Sequence, residues 1–201
     1  MVRLGSTLGM GRHAMIIMSM THHALTRHGA RALDILDAYW TGLAVQGDLP
    51  LWSDVDPGQF QDALDHAFLA KRFGRSHARI RVAGGAVEDL SGQRCNGLPL
   101  SLLIRNADRA TFNDALTTCC DTRRAVEVAL TSRTDAATKT VAARLMLYPL
   151  KDTGGRVTQF LGGLALTGEA IEQPGQFGVA TITFRPAPTR RPHLRLVVDN
   201  Q

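Results

Sequence analysis

From Ala30 to Val45 the apolar residues Leu33, Leu36, Tyr39, Trp40 and Leu43 recur at i, i+3, i+4 and i+7 spacing, which predicts an amphipathic helix. Ala32, Ile35 and Ala44 widen the stripe beyond one face. So broad an apolar surface suits a helix that touches its own sheet and a second copy of the chain together, or one that packs within the chain alone. A second helix start is signalled at Asp56-Pro57. The carboxylate is a cap, proline fits the first helical position, and Gln59 is the capping-box partner. Phe60, Ala63, Leu64, Ala67 and Phe68 then fall on one helical face.

The period next changes from helical to alternating. Phe68–Phe73 and His77–Val82 read as two short strands joined at Gly74; Ala78, Ile80 and Val82 alternate with Arg79 and Arg81, giving one buried and one wet face. Gly84-Gly85 ends the second strand, and a short helical segment around Val87–Leu90 follows. Gly92 and Gly97 punctuate a crossover to Leu98-Pro99-Leu100. Asn106 is the expected cap of a helix to Asp121, with Phe112, Ala115, Leu116, Cys119 and Cys120 on its apolar stripe. Val126, Val128 and Leu130 alternate in a third strand, and Val141, Ala143, Leu145 and Leu147 in a fourth, opposite Arg144. Asp152-Thr153-Gly154-Gly155 is a hairpin loop into a fifth strand, Val157–Thr167. That strand is apolar on both faces, so one side meets the core and the other a helix or another subunit. Val179–Phe184 and Leu194–Val198 have strand-like composition but no evident place.

Composition narrows the function classes. A chain of 201 residues holds one real core with tails. The formal charge of +5 is unevenly spread: residues 1–30 carry three arginines and no acid, 31–167 carry 16 basic and 15 acidic groups, and 168–201 carry four and three. The body is close to neutral, and nucleic-acid binding is not expected except through the arms. Cys95, Cys119 and Cys120 make no disulfide framework, which points to a reducing cytoplasm. The apolar run Ala14–Met20 is too short to span a bilayer, so no membrane role is expected. Five of the six methionines lie within the first 20 residues, which suggests Met18 or Met20 as the native first residue.

Taken in order, Tyr39-Trp40, Leu49-Pro50 with Asp54-Val55-Asp56-Pro57, and Ala78-Arg-Ile-Arg-Val-Ala-Gly84 resemble a PAS domain of the short single-domain kind found in bacteria. Gly92-Gln-Arg-Cys-Asn-Gly97-x-Pro-Leu100 and Tyr148-Pro149-Leu150 followed by Gly154-Gly155 complete the likeness, which covers roughly Ala30–Thr167. It implies an α+β fold: a five-stranded antiparallel sheet with helices packed on one face, preceded by the amphipathic helix. The expected division is a flexible arm over 1–28, the domain over 29–167 and an extension over 168–201. Such domains sense small molecules or mediate protein contacts in signal transduction, and they share no catalytic residues. The resemblance therefore implies a non-catalytic cytoplasmic module, a homodimer that also binds a signalling protein.

Candidate sites follow from this reading. A pocket between the sheet and the long helix would be lined by Ile80, Val82, Phe112, Leu116, Leu145 and Leu147, and would hold an unknown small molecule or be a filled core. Leu36, Tyr39, Trp40 and Leu43 are the candidate self-association surface. No cofactor is predicted. Flavin photosensors of this family resemble one another in an Asn-Cys-Arg-Phe-Leu-Gln motif, whereas this chain has Arg94-Cys95-Asn96-Gly97. Haem would need an axial histidine near the pocket; residues 106–121 contain none, and His66 and His77 read as surface or helix-end residues. Cys119 and Cys120 are expected to be buried structural thiols. His13, His22, His23 and His28 lack carboxylate or thiolate company for a metal, and Gly5–Gly11 lacks the Lys-Ser/Thr of a phosphate loop. Two alternatives remain open: a small α+β cone enzyme using Asp54 or His66 as base, and nucleic-acid binding through the basic arms.

Overall fold

The computed structural model describes the backbone of residues 9–44, 48–133, 140–168 and 175–186, with side chains from Thr26 onward in those ranges except Arg133 and Thr140. Three α-helices, α1 (Gly9–Leu43), α2 (Gly85–Ser91) and α3 (Arg109–Thr122), accompany six strands. These are β1 (Ala67–Phe73), β2 (His77–Ala83), β3 (Ala125–Arg133), β4 (Thr140–Lys151), β5 (Val157–Leu166) and β6 (Gly178–Arg185). They form one sheet in the order β2-β1-β5-β4-β3-β6, antiparallel throughout.

The α+β expectation holds, and the sheet gains one strand. The additional strand is β6, from the segment Val179–Phe184, whose composition is strand-like but whose place the sequence does not reveal. Val126 pairs with Phe184 and Val128 with Ile182, so β6 extends the sheet beyond β3. Leu194–Val198 lies outside the described residues.

Register assigns the faces. Val128, Leu145 and Leu164 lie opposite one another across β3, β4 and β5. Phe68 meets Gly162, and Ala70 meets Phe160 on one side and Ile80 on the other. Opposed residues share a face, so all of these belong to one inner face. The outer face carries Gly163, Tyr148 and Met146, and α1 lies on it. A Cβ added at Gly163 would come within 2.7 Å of Leu33 and Leu36. On the inner face, a Cβ at Gly162 would come within 2.2 Å of the Phe68 ring. Two consecutive glycines thus let an aromatic ring and a helix approach the same stretch of β5 from opposite sides. The second cover that β5's double apolar pattern demands is α1 of the same chain.

Several local expectations are corrected. The helix α1 begins at Gly9, inside the segment read as an arm; residues 9–43 contain no proline to stop a helix. The segment after Asp56 is a 3-10 helix, Pro57–His66, kinked at Phe60. It ends before Ala67 and Phe68, which enter β1, and Leu64 points to solvent. Asp56 does cap it, its carboxylate accepting from Gly58 N–H at 3.0 Å. The box is not reciprocal: Gln59 donates to the Asp56 carboxylate, because the Asp56 N–H is taken by the Tyr39 hydroxyl at 2.7 Å. Asn106 does not cap α3; a 3-10 turn, Asn106–Asp108, precedes that helix.

Candidate functional site

Most of the residues expected to line a pocket come together on the inner face. Ile80 from β2, Phe112 and Leu116 from α3, and Leu145 and Leu147 from β4 are all buried in one core cluster. Phe112 and Leu116 face inward because α3 repeats its apolar positions every three or four residues, ending at Cys119 and Cys120. Val82 does not join them, and is 54% exposed. The β1–β2 register shifts at Leu69/Ala70, so that Val82 pairs with Leu69 while Ile80 pairs with Ala70. The extra residue, Arg81, is a bulge that puts the strand out of step. Alternation alone carries no sign of it.

The four residues expected to meet a partner are divided. Leu36 and Trp40 are 0% and 2% exposed, so neither is presented to a second chain. Trp40 lies tilted against Tyr148, with ring centroids 5.4 Å apart, and its indole N–H donates to the Pro149 carbonyl at 3.1 Å. Tyr39 is half-buried against Phe60, its hydroxyl held between Asp54 O and Asp56 N. Leu43 is half-buried at the end of α1. The wide stripe of α1 is filled by the chain's own sheet and 3-10 segment. Asp37 adds a two-pronged ion pair to Arg185 of β6, at 3.1 and 2.5 Å. Beside it lies the buried Tyr148 hydroxyl, which has no hydrogen-bond partner of good geometry among the described residues. Burial, then the Asp37 charge, push its ionisation well above the usual phenol range.

The groups that could do chemistry are dispersed. Asp54 is exposed on a 3-10 turn, Trp52–Asp54. His66 is buried, not at the surface, and its Nδ1–H donates to the Leu164 carbonyl at 3.0 Å. Its ring lies under Gly29, where an added Cβ would come within 3.2 Å of Cε1. The imidazole is thereby wedged beneath α1. Asp54 is tied to the opposite end of the same 3-10 segment through Tyr39, so the two candidate bases are not brought together. Among the described residues, no group of three or more His, Cys, Asp or Glu is placed to hold a metal ion. His28 lies beside His66, with ring centroids 5.8 Å apart; the side chains of His13, His22 and His23 lie outside the described residues.

All three cysteines are buried and free. Cys95 is held by α2: its Sγ is 3.1 Å from Ser91 Oγ, and its N–H donates to Glu88 Oε1 at 3.1 Å. Burial raises its thiol, partly offset by the Ser91 hydrogen bond. Burial also lifts Cys119 well above the ordinary thiol value and Cys120 to about 11. Such thiols stay protonated and poorly nucleophilic. Among the described residues, no helix is long and apolar enough to cross a membrane.

A family model described as a PAS domain matches residues 28–165. Among solved structures, a light-oxygen-voltage domain studied with a flavin analogue is 19% identical, covering 56% of this chain and 84% of that one at a TM-score of 0.43. The light-oxygen-voltage protein of Rhodobacter sphaeroides is 16% identical, covering 58% and 71% at 0.43. The VqmA dimer of Vibrio cholerae is 16% identical, covering 56% and 51% at 0.41. No curated protein matches the chain.

Proposed function

The chain belongs to the PAS domain family, and from that premise we propose that it is a non-catalytic sensory or protein-interaction module in signal transduction, acting through self-association and a partner signalling protein. The observation that carries this reading is the inner face of the sheet. Ile80, Leu145 and Leu147 from two strands and Phe112 and Leu116 from α3 make a continuous apolar layer, while the titratable candidates Asp54 and His66 lie elsewhere. An apolar layer between sheet and helix suits a small hydrophobic ligand or a packed support for a docking surface, and offers no acid or base to a substrate. The buried, protonated thiols fit the same reading.

Native mass spectrometry of the protein purified from its own host tests this. The expected result is the polypeptide accompanied by a second polypeptide, a dissociable small molecule, or both. A bare single chain under every gentle condition would sink the proposal.

A further inference from the structure

The large hydrophobic side chains exposed among the described residues are Trp52 at 39%, Leu64 at 41%, Phe73 at 42% and Val82 at 54%. All fall in one short stretch, from the first 3-10 turn to the end of β2. The same stretch separates its charges sharply. Residues 51–66 contain Asp54, Asp56, Asp62 and Asp65 and no lysine or arginine, and all four aspartates are exposed. The β1–β2 hairpin that follows exposes Lys71, Arg75, Arg79 and Arg81. Arg75 pairs with Asp121 at 3.9 Å, and the other seven charges are in no ion pair among the described residues.

Register orders the cationic half. On the outer face Phe73 lies opposite His77, Lys71 opposite Arg79, and Leu69 opposite Val82. An aromatic pair, a cationic pair and an aliphatic pair therefore succeed one another at steps of about 7 Å. Arg79 is steadied over the Phe73 ring, 5.2 Å from its centroid. The end of the acidic half meets the end of this hairpin: a Cβ added at Gly84, just past β2, would come within 2.0 Å of the Leu64 carbonyl and 2.5 Å of the Asp65 backbone. Strand addition at the β2 edge is obstructed near Ile80, whose N–H donates to Leu98 O at 2.9 Å and whose carbonyl accepts from Gly97 N–H. What approaches here meets the face, not the edge.

We infer that this surface, residues 52–82, is the self-association interface, and that its occupant is the same surface of a second copy. An acidic patch beside a basic patch, each carrying exposed apolar side chains, complements itself under a two-fold rotation. Asp62 and Asp65 of each copy then face Lys71 and Arg79 of the other, with Leu64, Phe73 and Val82 covered between them. The inference rests on the self-association in the proposed function and relocates it, since Leu36 and Trp40 are spent inside the chain.

The full chain is followed by sedimentation velocity over a concentration series at low salt. The double variants Lys71→Glu/Arg79→Glu and Asp62→Lys/Asp65→Lys are each expected to weaken the dimer by about tenfold or more. An equal mixture of the two is expected to restore it, which a folding defect would not do. A wild-type dimer indifferent to both variants, or a mixture that stays monomeric, overturns the inference while leaving self-association standing. A wild-type chain that is monomeric throughout overturns the inference and the self-association together, and leaves the surface to a different partner.

Discussion

Cys120 illustrates how one buried side chain sets a property of the whole chain. Its thiol, on the inner stripe of α3, is raised by burial from 9.0 to about 11. A group raised in this way favours the fold while protonated. Its contribution is complete below about pH 9 and is lost as pH rises toward 11, at about 1.4 kcal/mol per unit. The thermal midpoint is therefore expected to fall over that window, and Cys120→Ala should flatten the decline; an unchanged slope in the variant would refute the assignment. The burial of this residue was legible from its spacing to Phe112 and Leu116. The exposure of Val82 was not, because a bulge is a relation between two strands and only one of them is read at a time. Tyr39 hid its role for a similar reason: its hydroxyl serves a backbone N–H seventeen residues away, an arrangement that no local pattern encodes.

Among the elements, α1 takes the second of the two courses its pattern left open. A stripe too wide for one surface suited either the sheet with a second copy or packing within the chain alone, and the structure packs it against the sheet and the 3-10 segment of the same chain. The substitution Trp40→Asp should consequently lower stability by several kcal/mol, since it removes a large buried ring and leaves a charge in its place. Trp40→Phe, which keeps most of the ring and loses the bond to Pro149, should cost about 1–2 kcal/mol. Chemical denaturation of both variants checks this ordering, and a stable Trp40→Asp protein of altered mass would return the residue to an interface. Strand positions were legible because alternation survives in β2 as far as Ile80 and throughout β3. The order of the sheet was not, since the edge role of β6 depends on Ile182 and Phe184 finding Val128 and Val126 across a stretch of chain with no regular pattern.

For the molecule as a whole, the succession of hairpin, crossover, long helix and closing strands was enough to place the chain in its family. Five of the six residues expected on the inner face do lie in the buried core, while the outer face drew no expectation, although four aspartates followed by a cationic hairpin are visible in the sequence. That contrast stands out once burial identifies which charges are exposed and unpaired.

Gly162 and Gly163 stand side by side in β5. Where Phe68 lies on one side and Leu33 and Leu36 on the other, β5 contributes bare peptide and no insulating side chain. The partition there is one main chain thick, so a nudge to the aromatic ring is delivered almost undamped to the helix behind. A double-mutant cycle between Phe68→Leu and Leu36→Ala should accordingly give a coupling of about 0.5 kcal/mol or more, although the two residues sit in opposite layers; strict additivity would mean that the wall is soundproof after all.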